Sequence, residues 1–244
     1  MRRIQTALVL CALLVSAAFT KDSSQARAGG AGSTPQNNLN AAATALLNLK
    51  SAQFTLKREG TPAFLDEKNG ITFTLAECSY AAPDRVSCNV KISLKTGNIL
   101  QITRVWVPEG VFQTNPLTRQ FGKVPPDSNF NGAALFAKTG IADILRTATR
   151  NPQLAGKEKI QGKDTLHFKG EVSGEKLNPL VGSTLKADYL HPVDTWMEEN
   201  TSRPVRVHVS EPEGKGWLIE LSAMDEPVDI PTPKLPPLAP KPQD

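Results

Sequence analysis

Cys78 and Cys88 stand ten residues apart in "AECSYAAPDRVSCNV", on either side of a Pro-Asp turn signal. The chain has one other cysteine, Cys11, inside an apolar N-terminal run. In an oxidising compartment two thiols across a tight turn couple into a disulfide that staples a hairpin; in a reducing one they stay free and buried. A redox-active pair fits poorly, because the spacing is far from Cys-x-x-Cys. Closing so short a loop stabilises the fold by roughly 2–3 kcal/mol in the chain-entropy account.

The other groups capable of chemistry are scattered. His167, His191 and His208 show no metal-ligand spacing, and the polar-face positions of His167 and His208 predict solvated imidazoles. No Gly-x-Ser-x-Gly elbow is present. "GKEKIQGK" imitates a phosphate-binding loop, but its spacer is one residue too long and Asp164 stands where Ser or Thr would hold magnesium. Acidic residues lie on polar faces with no pair set apart. These observations predict a protein that is not an enzyme and that needs no cofactor or metal.

The compartment follows from the N-terminus. "MRRIQTALVLCALLVSAAFT" begins with Arg2 and Arg3 and continues in an apolar stretch from Ala7 to Phe19. That stretch is short for a membrane span, which needs about 20 residues, and fits a signal-peptide core of roughly 7–15. Cleavage fits either Ser16-Ala17-Ala18 or Ala26-Arg27-Ala28, and the alternative is an uncleaved anchor. Lipidation at Cys11 does not fit, since Leu10 precedes it and "ALLV" follows. Most of the formal charge of +4 sits in this N-terminal segment. Removing residues 1–28 takes away Arg2, Arg3, Lys21 and Arg27 against Asp22 alone, leaving 24 basic and 23 acidic residues. No basic footprint for nucleic acid remains.

The elements that position these groups follow from periodicity. "NLNAAATALLNLKSA" (38–52) places its apolar residues at helical spacing, with Asn38 or Asn40 able to cap. "AQFTLKRE" is expected to be a first strand. "ITFTLAE" alternates Ile71, Phe73 and Leu75 with polar residues, and "RVSCNVKISLK" alternates Val86, Cys88, Val90, Ile92 and Leu94. Placing Cys78 opposite Cys88 would turn Phe73 and Leu75 outward, so one extra residue is expected near Ala76-Glu77 as a bulge. "ILQITRVWVPEG" is another strand, and a loop containing "TNPLTRQFGKVPPDSNFN" follows. "GAALFAKTGIADILRTATRNP" is a second helical region. Five further strands come next, with hairpins at Gly162 and "EPEGKG", and "GEKLNPLVGS" as a short helix. About eight hairpin-linked strands and two or three helical pieces predict α+β architecture, with a strongly curved antiparallel sheet.

Four stretches in order carry a family resemblance: "GITFTLAECSYAAPDRVSCNVKI", "TNPLTRQFGKVPPDSNFNGAALF…GIADIL", "GKEKIQGKDTLHFKGEV" and "GWLIELSAMDEPVDIPTP". From about Asn38 to Pro233 the chain resembles the LppX/LprA/LprF/LprG family of actinobacterial lipoproteins and its relatives in other bacteria. The resemblance implies a fold similar to that of the LolA and LolB lipoprotein carriers, an incomplete barrel closed by short helices over an apolar cavity. It also implies an extracytoplasmic, non-enzymatic carrier of lipids or glycolipids in the cell envelope, meeting a membrane surface and a membrane lipid exporter. This chain lacks the family's lipidated cysteine after the signal and adds the Cys78/Cys88 pair.

The expected organisation is an export signal at 1–28, a linker at 29–37, a lipid-binding domain at 38–233 and a disordered Pro-rich tail at 234–244. Burial of acyl chains is the physics, at about 0.8 kcal/mol per CH₂. The segment 135–145 is expected to form a lid, with Leu135, Phe136, Ile141, Ile144 and Leu145 facing the lipid. Phe73, Val90, Ile92, Leu94, Leu166, Phe168 and Trp196 are expected to line the sheet; each would serve equally as ordinary core. The alternative is a sensor or chaperone domain that grips another envelope protein.

Overall fold

A computed structural model describes residues 33–125, 131–182 and 184–237. The export signal, the start of the linker and the end of the Pro-rich tail lie outside the described residues. So does the stretch 126–130 of the loop before the second helical region.

The first helix, α1 (Pro35–Leu47), starts and ends earlier than its apolar spacing suggests. Thr34 is the cap: its hydroxyl accepts the Asn37 amide hydrogen at 3.2 Å, and Pro35 occupies the first turn, where its missing N–H costs nothing. Leu39, Ala42, Ala43 and Leu46 form the buried stripe.

Twelve strands among the described residues build one antiparallel sheet. In chain order they are β1 (Ser51–Glu59), β2 (Ala63–Asp66), β3 (Ile71–Ala81), β4 (Arg85–Ser93), β5 (Ile99–Val107), β6 (Gly110–Thr114), β7 (Phe121–Val124), β8 (Arg150–Ile160), β9 (Lys163–Ser173), β10 (Leu190–Glu198), β11 (Pro204–Ser210) and β12 (Gly216–Ser222). The spatial order is β7-β6-β5-β4-β3-β1-β12-β11-β10-β9-β8, with β2 beside β3. Two meanders, β3 to β7 and β8 to β12, are therefore joined through β1, which pairs with both β3 and β12. The sheet is curved and open, not a closed barrel, and the fold is α+β.

This topology dictates where the helical cover lies. β7 and β8 are opposite edges of the sheet, so the chain between them must cross a whole face. It does so as a 3₁₀ turn (Gly132–Leu135), a short α segment that we call α2 (Ile141–Asp143), and a π turn (Ile144–Ala148). The second helical region of the sequence is thus three short pieces. Gly140 marks the break, because a Cβ there would sit 2.3 Å from the Ala134 carbonyl oxygen. α3 (Gly174–Val181) bridges β9 and β10.

The expected bulge exists, but between Phe73 and Leu75 instead of at Ala76-Glu77. Thr74 is the extra residue. Phe73 is thereby fully buried opposite Ile92, Leu75 turns outward opposite Lys91, and Ala76 takes the inward position opposite Val90.

Candidate functional site

The inner face of the sheet is read from the register. Across its middle run Gln113, Arg104, Cys88, Cys78, Phe54 and Leu221, one residue from each of six neighbouring strands. Cys78 and Cys88 are directly opposite, with Cα atoms 4.1 Å apart, and form a disulfide that points inward. Gly132 lies over it: a Cβ there would meet Cys88 Sγ at 3.1 Å and the Trp106 ring at 3.3 Å. Phe136 stacks on Tyr80 at 4.0 Å between ring centroids and meets Phe54 edge-on at 5.2 Å.

The expected lid residues divide into two groups. Leu135 and Phe136 seal the disulfide end. Ile141, Ile144 and Leu145 join Leu177, Leu180 and Val181 of α3 over Val193, Val207, Val209 and Ile219 of the sheet. α3 as half of the cover was missed, although Leu177, Leu180 and Val181 at helical spacing were its signal. These ten residues enclose an apolar void of about 10 Å³, whereas a small-molecule pocket takes roughly 300–1,000 Å³. The cover is held by α1: Gln36 Nε2 donates to the Leu145 and Arg146 carbonyls of the π turn at 3.1 and 3.2 Å.

Among the expected sheet-lining residues, Phe73, Val90 and Ile92 are buried on the inner face beside Trp217, whose ring lies 5.3 Å from that of Phe73. Phe168 is 1% exposed and half-buried Leu166 pairs with Met197 on the same face. Leu94 falls just past the end of β4 and is half-buried. Trp196 is a correction: it sits on the outer face. His191, Val193, Thr195 and Met197 take the inward positions of β10, so parity sends Trp196 out. There its indole N–H donates to Glu158 at 2.7 Å and its ring stacks on His167 at 4.3 Å. His167 is accordingly not a solvated imidazole; it contacts Asp194 Oδ1 at 2.6 Å and Glu158 Oε1 at 3.0 Å. His208 lies 3.3 Å from Glu59, and His191 is buried between the Ser210 and Lys186 carbonyls.

Two arginines occupy the inner face, and period-2 reading of their strands was the signal that could have found them. Arg58 has a side chain 6% exposed, lies 5.1 Å over the Trp217 ring, pairs with Glu211 and donates to the Thr61 carbonyl at 2.9 Å. It forms one wall of an end groove of about 790 Å³, shared with Phe64, Asp66, Glu67, Thr184 and Lys215. Arg104 is 8% exposed and lies 5.5 Å over the Trp106 ring. Its Nε is buried without a hydrogen-bond partner, and burial alone pulls the guanidinium below its ordinary pKa.

The outer face is covered at one corner. Val228 and Ile230, within the "EPVDIPTP" stretch, pack on Val105, Val107 and Phe112, and Arg85 donates to the Ile230 carbonyl at 3.0 Å. Among the described residues no helix is long and apolar enough to cross a membrane, and no group of three or more His, Cys, Asp or Glu side chains is placed to hold a metal ion.

The fold has solved counterparts. LprF from Mycobacterium bovis superposes with a TM-score of 0.68 at 17% identity, covering 82% of this chain and 96% of that one. The Mycobacterium tuberculosis lipoprotein LppX superposes with a TM-score of 0.58 at 16% identity, covering 81% of this chain and 98% of that one. No curated protein matches the chain by sequence. The profile of the LppX_LprAFG lipoprotein family matches residues 34–230, from the cap of α1 to the buried Ile230, and the chain belongs to that family.

Proposed function

We propose that this protein is a non-enzymatic lipid or glycolipid carrier of the cell envelope. Acyl chains would be held between the sheet and its helical cover during transfer from a membrane to the outer envelope. The observation that supports the reading is the wall around the small void: ten aliphatic side chains with no polar group among them, four contributed by the sheet and six by short helical segments. Such a wall binds by excluding water, and it needs no reacting group. Export would fall to residues 1–28, and contact with a membrane to transient docking. A membrane lipid exporter would be the natural donor.

Native mass spectrometry of the chain purified from its own envelope tests this reading. Bound species of lipid mass, lost on solvent extraction, are expected. A ligand-free mass under conditions that keep a control carrier loaded overturns it and favours a domain that grips another envelope protein.

A further inference from the structure

The two inward arginines are built alike and finished differently. Each lies over a tryptophan ring on the inner face, Arg58 at 5.1 Å from Trp217 and Arg104 at 5.5 Å from Trp106. Arg58 has a carboxylate, Glu211, and two carbonyl acceptors. For Arg104 no hydrogen bond or ion pair is formed among the described residues, and its Nε is fully enclosed without an acceptor. A buried guanidinium is ordinarily paired, because taking its charge out of water is expensive. A cation–π contact returns only part of that cost.

The neighbours of Arg104 along the inner face are polar or small on one side and closed on the other. Gln113 is its register partner on β6, and Gly122 is the register partner of Gln113 on β7. A Cβ on Gly122 would meet nothing within 4 Å among the described residues, so the inner face is open at this edge, two strands from Arg104. Cys88 is the register partner on the other side, closed by the disulfide. Arg104 and Gln113 thus form a polar group at the β5–β6 end of the inner face. From β5 to β12, which carries Ile219 of the void, is four strand steps, about 19 Å at about 4.8 Å each. That is the length scale of one acyl chain, about half of a roughly 30 Å hydrocarbon core.

We propose that Arg104, flanked by Gln113, receives the phosphate of an anionic lipid headgroup whose acyl chains run along the inner face toward the α2–α3 side. A guanidinium meets two phosphate oxygens at once through its planar fork, and the amide of Gln113 supplies a further donor. The inference rests on the lipid-carrier reading and adds to it the chemistry of the headgroup.

The test compares two lipids with the same chains. The full chain is loaded with dioleoylphosphatidylglycerol or with dioleoylglycerol, which lacks the phosphate, and binding is read by native mass spectrometry. Wild type is expected to prefer the phospholipid by roughly ten- to hundredfold, the worth of one or two charge-assisted hydrogen bonds. Arg104→Met should lose that preference while still taking up dioleoylglycerol, and Arg104→Lys should keep part of it. Arg104→Met should melt at or above the wild-type temperature, since it removes a buried charge without breaking a native ion pair, whereas Arg104→Lys, which buries a more strongly hydrated cation, should melt lower. Equal preference in wild type and Arg104→Met overturns the headgroup site and leaves the carrier reading standing. Failure of both lipids to bind wild type overturns the carrier reading itself. Inorganic phosphate bound by the chain without lipid, and lost in Arg104→Met, overturns the lipid source and makes the site one for free phosphate.

Discussion

The Cys78–Cys88 bridge lies on the inner face under Gly132, so it both shortens the unfolded chain and forms part of the floor beneath the cover. Replacing both cysteines by alanine should cost roughly 2–3 kcal/mol from the loop term, about 4–12 °C in melting temperature for a domain of this size. Scanning calorimetry with and without reductant checks it. Reduced wild type should fall by the same amount, and an unchanged melting temperature would show that the bridge does not form in solution. At this scale the sequence was informative wherever alternation was clean. Val86, Cys88, Val90 and Ile92 face inward as their spacing says. Trp196 was misplaced because Trp196 and Met197 are both apolar and adjacent, so only the parity set by Val193 and Thr195 decides which one turns in. Arg104 escaped notice for the converse reason. Its neighbours Val105 and Val107 are buried too, under the returning C-terminal segment, so the outer face of β5 is polar only at Gln101 and Thr103 and the alternation that marks Arg104 as inward is broken in its second half.

Elements were legible in proportion to how much of their information is local. The β3–β4, β8–β9 and β11–β12 hairpins carry their own turn signals and match their expected places. β2 and β7, four residues each, have no period to detect and exist because a neighbouring strand offers its ladder. β8 begins ten residues before Ile160 despite Pro152, because an edge strand tolerates proline at an irregular register, and the ladder shifts between Arg150 and Gln153. The helical cover was least legible: its amphipathic spacing suits one helix, but the backbone of Gly140 must pass against the preceding turn. Gly140→Ala tests this. The added methyl would approach the Ala134 and Leu135 carbonyl oxygens to 2.3 and 2.4 Å, so the cover must shift, at a cost of about 1–3 kcal/mol. Gly122→Ala, with open space at its Cβ and no positive φ, is the control and should be within about 0.5 kcal/mol of wild type. Chemical denaturation reads both. Equal effects would mean that Gly140 is not a packing constraint.

At the scale of the molecule, a void of about 10 Å³ and a cargo of two acyl chains are compatible only if one wall moves. The sheet wall is the stiffer one, since β10, β11 and β12 are hydrogen-bonded on both sides. The helical wall is α3 together with three α-helical residues and a π turn, and the latter two have few backbone bonds of their own. Its attachment to α1 includes the two hydrogen bonds that Gln36 gives to the Leu145 and Arg146 carbonyls. Lipid uptake should therefore be gated by opening of the cover. The observed association rate, followed by tryptophan fluorescence on mixing with dioleoylphosphatidylglycerol vesicles, should level off with lipid concentration at the opening rate. Gln36→Ala should raise that plateau about five- to tenfold, the worth of one to two net hydrogen bonds, with little effect on the bound state. A rate that climbs linearly with lipid and ignores Gln36 would place the cargo outside the covered interior. The end groove beside Arg58, about 790 Å³ and already open, would then be the seat of binding.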